Sequence, residues 1–185
     1  MEKKVEICSN ALLLLGHTPI SSFDEPGSGA LLAKNLYEST YRDFLSSTNW
    51  NFSKKYANLN RLTTSPEHPM YKYQFQIPVD FLRLDSTLPA TAYEIIGDKI
   101  YTNQPEMHIE YVFRCKEEFL PPYAVKCMQL LMASILSVPL TADTSKAQYY
   151  NQQYEIQKIR SMSIDSQNDP VDGWAELPVF DVRFG

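Results

Sequence analysis

The chain has 185 residues, 44% of them hydrophobic and 21% charged, with a formal net charge of −5. That is one globular domain by length, near the average composition of soluble proteins and long enough to bury a real core. No apolar run reaches the roughly 20 residues that span a bilayer, the longest being Ala11–Leu15 and Leu130–Leu136.

The opening Met1-Glu2-Lys3-Lys4 carries both signs of charge and leads into an amphipathic pattern instead of a signal-peptide core. Synthesis and retention in a cytoplasm are therefore expected. The charge is unevenly spread. Residues 163–185 hold Asp165, Asp169, Asp172, Glu176 and Asp181 against Arg183 alone, which leaves the rest of the chain nearly neutral. No basic face offers the clustered Lys and Arg that tight duplex binding requires. The 12 tyrosines, 9 phenylalanines and 2 tryptophans fit either a core with many half-buried rings or a surface built for protein contacts.

In chain order, Val5, Cys8, Leu12 and Leu15 recur at three- and four-residue steps and predict a first helix over residues 3–15. Gly16 stops it and Pro19 prevents its resumption. Residues 21–29 are a loop of turn formers, and Ser28 is the expected N-cap of a second helix over 29–46. Leu32, Leu36 and Phe44 form one stripe of that helix; Tyr37, Tyr41 and Leu45 form its neighbour. Glu38 and Arg42 make a modest i,i+4 pair.

From Trp50 to Phe113 the pattern becomes short extended segments broken by turns. Tyr71–Ile77 alternates as a half-buried strand does, and Pro78 ends it. Asp80 is expected to cap a one-turn helix starting after Pro78. Tyr93–Ile96, Gly97-Asp98 and Lys99–Thr102 read as a hairpin. Met107–Phe113 reads as a strand with Ile109, Tyr111 and Phe113 on one face.

Pro121-Pro122 opens a third helix over 121–138. It is apolar on most sides and therefore central to a core or an interface, and Pro139 ends it. A fourth helix over 144–162 is polar, with a thin stripe of Ala147, Tyr150, Tyr154 and Ile156 or Ile159. Residues 163–185 show no helical period. The fold class expected is α+β, mainly α: about four helices, a small antiparallel β-region at 50–113 between the second and third helices, and an extended C-terminal arm. Residues 1–162 would form one domain and 163–185 the arm.

Little in the chain points to catalysis. Cys8, Cys115 and Cys127 are odd in number, widely spaced and set among apolar residues, so they read as buried small hydrophobes instead of a disulfide or zinc framework. His17, His68 and His108 fit no metal-binding spacing, and there is no G-x-S-x-G or glycine-rich phosphate loop. No cofactor or metal is expected. A glycan hydrolase would need two carboxylates at a set separation. Glu67, Glu106, Glu110, Glu117 and Glu118 are the candidates, and Glu110, between Ile109 and Tyr111, is the best of them. A generic helical interaction module is the remaining alternative.

Four pieces of the chain occur in an order that resembles a known family. They are Ile7–Gly16 with Pro19–Asp24; Tyr37-x-x-x-Tyr41-Arg42-Asp43-x-Leu45 with Asn49–Ser53; Tyr73–Leu84; and Ile109-Glu110-Tyr111 with Ala133 and Val138–Thr141. Over about residues 5–141 the chain is similar to phage tail tubular protein A, the head-to-tail adaptor or tail accessory factor of short-tailed bacteriophages. The resemblance implies a non-enzymatic virion subunit. Twelve copies would form a ring below the portal protein and extend the DNA channel to the tail nozzle or tube, with duplex DNA passing through without being held.

The resemblance does not reach residues 163–185. There the apolar residues Trp174, Leu177, Val179, Phe180, Val182 and Phe184, interleaved with acids, predict a docking arm that contacts the portal or a neighbouring subunit, the alternative being a segment that packs on its own subunit.

Overall fold

The computed structural model describes residues 2–168. The six expected interface residues, Trp174, Leu177, Val179, Phe180, Val182 and Phe184, lie outside the described residues. The described chain is α+β and mainly α. Its helices are α1 (Lys3–Leu14), α2 (Ser28–Ser46), α3 (Pro122–Thr141) and α4 (Thr144–Ser166). Between α2 and α3 lie six strands: β1 (Lys54–Asn58), β2 (Tyr73–Gln76), β3 (Phe81–Leu88), β4 (Tyr93–Ile96), β5 (Lys99–Thr102) and β6 (His108–Phe113).

α1 ends as its sequence requires. Gly16 takes φ 77°, its N–H bonds the Leu13 carbonyl at 3.0 Å, and the His17 N–H bonds that of Leu12 at 2.9 Å. This is a Schellman closure, which needs a left-handed residue at Gly16. The expectation for Ser28 needs correction: the capping position falls on Gly27, and Ser28 is the first residue inside α2.

α3 also departs from expectation, because Pro139 lies inside it. Proline costs most in a helix interior, where its missing N–H and its ring disturb the preceding turn. Pro139 has only Leu140 and Thr141 after it, so one hydrogen bond near a fraying end is lost. The helix then closes at Ala142, which is left-handed (φ 53°) and bonds Val138 at 2.9 Å. By length and composition alone α3 is apolar enough to cross a membrane. In this fold it is the central helix of the body, and α1, α2 and α4 pack around it.

α4 is capped by Asp143, whose carboxylate accepts from the backbone of Ser145 and Lys146 at 2.9 and 3.1 Å. It continues four residues past the expected end, so residues 163–166 are helical and not part of an arm. Its buried face is Tyr154, Ser161 and Asp165, whereas Ile156 and Ile159 are exposed. On this face the Ser161 hydroxyl lies 3.3 Å from the Cys127 thiol of α3.

The strands form two antiparallel three-stranded sheets, ordered β1-β6-β3 and β2-β5-β4. The β4–β5 hairpin turns at Gly97-Asp98 as expected, with Ile96 opposite Lys99 and positive φ only at Gly97. That placement suits a type II′ turn, where the first central residue must be glycine. Val79-Asp80 makes a turn, not a helical one, and the chain enters β3 at Phe81. The turn closes through the Phe81 N–H to the Pro78 carbonyl at 3.1 Å. The Asp80 carboxylate is used elsewhere, accepting from Lys55 Nζ at 2.8 Å and from the Tyr111 hydroxyl at 3.0 Å.

Two hydrophobic cores result, one shared by the four helices with Trp50 and one inside the β-lobe. β6 joins them, because its period-two alternation points Ile109 and Tyr111 into the lobe and Val112 into the body. Trp50 pins the junction. Its fully buried ring lies 5.2 Å from Phe44 and 5.5 Å from Phe52, and its indole N–H donates to the Phe44 carbonyl at 3.2 Å.

Candidate functional site

A groove of about 510 Å³ runs across the end of the β1-β6-β3 sheet. Tyr56, Asn58, Ser86, Leu88, His108 and Glu110 line it. Register explains the grouping. Tyr56 on β1 and Ser86 on β3 both lie opposite Glu110 on β6, so one row crosses all three strands. The Tyr56 hydroxyl donates to Glu110 Oε1 at 3.0 Å, and the Ser86 hydroxyl to Oε2 at 3.1 Å.

Lys54 Nζ lies 3.6 Å from Glu110 and 3.9 Å from Asp85. Asp85 also has Arg83 at 3.8 Å and accepts from the Asn49 amide at 3.0 Å. Asn49 Oδ1 in turn accepts from Arg83. Two cations thus face two carboxylates in one network that ties the end of α2 to the sheet. Glu110, the best catalytic candidate in the sequence, is held by two hydroxyl donors and an ammonium. Asp85, which sequence reasoning passed over, is the acid that shares Lys54 with it.

The other candidate acids do not converge on this groove. Glu67 and Glu106 are exposed on separate loops, and Glu118 is exposed in a short 3-10 turn of helix. Glu117 is paired with Arg114 at 2.7 Å. Arg114 also reaches Glu38 at 2.7 Å and lies 4.5 Å from the Tyr41 ring centroid. Burial pushes Glu117 up, but the Arg114 hydrogen bond and charge more than offset that and hold it below the usual carboxylate range.

The histidines are dispersed. The His68 ring lies tilted at 4.9 Å from Tyr71 and at 5.6 Å from Tyr101, with Nε2 3.0 Å from Glu94. His108 lines the groove but makes no hydrogen bond to Ser86 or Glu110 among the described residues. No group of side chains among the described residues is arranged to hold a metal ion. All three cysteines are buried and free, and burial pushes the Cys8 thiol up to about 12. Such a thiol is a packing group, not a nucleophile.

One acid in the C-terminal region has a role the sequence did not reveal. Asp165 is buried and accepts from the Asn51 backbone N–H and the Tyr123 hydroxyl, both at 2.6 Å. The Asn51 side-chain amide donates to its carbonyl at 2.8 Å. The clasp binds the end of α4 to the turn after Trp50. Exposed apolar side chains are also informative. Tyr149, Ile156 and Ile159 lie along the outer side of α4, and Tyr93, Ile95 and Ile96 make up most of β4. The sequence matches no protein-family model and no curated protein.

Proposed function

We propose that this chain is a structural head-to-tail adaptor of a short-tailed bacteriophage. Copies of it, twelve in number, stand in a ring below the portal protein and carry the DNA channel towards the tail nozzle or tube. It is made in the host cytoplasm, resides in the virion and has no enzymatic activity. The reading begins from the resemblance over residues 5–141.

The observation that supports it best is the contrast between the polar groove and the apolar surface. The carboxylates at the groove are engaged by Lys54, Arg83, Tyr56 and Ser86, as a structural network is. The outer side of α4 and strand β4 instead expose apolar side chains on two separate elements, as an assembling subunit does. The near-neutral body also favours dense packing of copies over capture of duplex DNA.

The test is to mix the full chain with the portal of its own phage and to image the particles. A ring of twelve copies on the portal is expected, with monomers or small oligomers in its absence. Portal complexes without ordered stoichiometry overturn the adaptor. Clearing of peptidoglycan by the full chain, abolished in Glu110→Gln, would replace it with the hydrolase reading.

A further inference from the structure

The two sheets have four edges, and three are protected. β1 carries Lys54 and Lys55. β2 is covered by residues 60–62: Arg61 bridges Phe75, the Leu62 N–H bonds the Gln74 carbonyl at 2.9 Å, and Gln76 bonds Asn60 at 3.3 Å. β3 carries two register shifts as well as Arg83 and Asp85. Lysines, covering segments and bulges are the usual means of keeping an edge from pairing. Among the described residues β4, Tyr93-Glu94-Ile95-Ile96, has no lysine, covering strand segment or bulge; its one charge, Glu94, is paired with His68 at 3.0 Å, and its pairing with β5 runs without a shift.

Burial along the sheet shows where it is incomplete. Phe75, Ile100 and Ile95 are successive partners across β2, β5 and β4 and so share one face. They are 1%, 0% and 39% exposed. The row is closed at its first two members and open at the third. Tyr93, two residues away on the same face, is 43% exposed. An added strand that brought apolar residues at every second position would complete both rows.

We propose that the β4 edge receives Pro178–Phe184 of a neighbouring copy as a fourth, antiparallel strand. This rests on the adaptor reading. In that segment Phe180, Val182 and Phe184 fall on one side of an extended chain, and Val179, Asp181 and Arg183 on the other. Charge selects the direction and the register. With Val182 opposite Ile95 and the strands antiparallel, Phe184 meets Tyr93, Arg183 meets Glu94, and Asp181 lies opposite Ile96. A parallel strand in the same register would set Asp181 against Glu94, and like charges directly opposite are unfavourable.

The edge and the segment are different surfaces. Each copy therefore gives to one neighbour and receives from the other, which is the contact that closes a ring. Pairing of β4 with β4 would stop at a dimer.

The experiment mixes two full-length proteins, one carrying Ile95→Cys and the other Val182→Cys, at high concentration under mild oxidation. Directly opposed strand residues have Cα atoms about 4.5–5.5 Å apart, within disulfide reach, and the three native cysteines are buried. A heterodimer on a non-reducing gel, absent when either protein is oxidised alone, is the result expected. Glu94→Arg or Arg183→Glu should each reduce its yield by about two- to five-fold, as for a single exposed ion pair, and the double swap should restore it.

Three results overturn the proposal. They are no heterodimer, an Ile95→Cys homodimer of equal yield, or, in a third protein that carries both substitutions, a bond formed only within one chain. Imaging the unmodified chain on the portal separates the two readings. A ring of twelve without the cross-link leaves the adaptor and removes the docked strand. The cross-link without portal binding leaves the docked strand and removes the adaptor.

Discussion

The helical body and the β-lobe are held together by different means. Among the described residues twenty-five buried apolar side chains make up the core of the body and seven that of the lobe, so the lobe has little interior of its own. Small cores are marginal because burial must outweigh the entropy of ordering the chain. The lobe gains from attachment: β6 contributes to both cores, Trp50 closes the joint, and Arg114 bridges the end of β6 to α2. One continuous strand thus lets a weak sheet pair borrow stability from a strong helix bundle.

The largest expected effect comes from breaking the joint. Trp50→Ala removes a fully buried ring packed on Phe44 and Phe52. It should destabilise the whole chain by about 3–5 kcal/mol. In urea titrations, circular dichroism of the helices and tyrosine fluorescence should lose stability together. If the helical signal keeps its midpoint, the two regions are independent and the picture of borrowed stability fails.

Phe75→Ala tests the lobe from inside. Phe75 is buried in the lobe core and absent from that of the body. The intrinsic cost is again about 3–5 kcal/mol, but most of it should appear as local opening, because the lobe has so few other buried residues. Hydrogen exchange should lose protection in β2, β4 and β5 while α1, α2 and α3 keep theirs. Uniform loss across all elements would mean that the molecule unfolds as one unit.

Arg114→Met is the mildest and carries a pH signature. The methionine keeps an apolar stem over Tyr41 and removes the charge from Glu117 and Glu38. At pH 7 a loss of about 1–2 kcal/mol is expected, discounted because Glu38 is half exposed. The folded protein holds Glu117 below its ordinary value, so this stabilisation is complete above the unfolded carboxylate range and disappears as pH falls through the folded value. The gap between wild type and variant in denaturant midpoint should therefore narrow below about pH 4. A gap that is constant from pH 7 to pH 3 would assign the effect to packing and not to charge.

The fold was readable where the cause is local. Gly16 stops α1 because only the residues next to it decide the closure, and Gly97-Asp98 turns the hairpin for the same reason. Ile109 and Tyr111 could be assigned to one buried face because a strand alternates whatever surrounds it. Pro139 was misjudged because its cost depends on how many helical residues follow, and α3 ends almost at once. Ile156 and Ile159 were candidates for burial on hydropathy. They lost to Ser161 and Asp165, whose polar groups are taken up by Cys127, Tyr123 and Asn51.

The candidate groove divides in the same way. Glu110 drew attention from its place in a strand. Its donors, Lys54, Tyr56 and Ser86, come from strands that are neighbours only after the sheet has formed, and so does its companion Asp85. By itself the sequence determined the close of α1, the hairpin, the buried cysteines and the mainly helical class, since turns and periodicity act over a few residues. Only the tertiary structure decided that β6 joins the β-lobe to the helical core, that Asp165 clasps Asn51, and that β4 is an uncovered edge among the described residues. Those outcomes depend on which distant segments meet, and no local pattern encodes that.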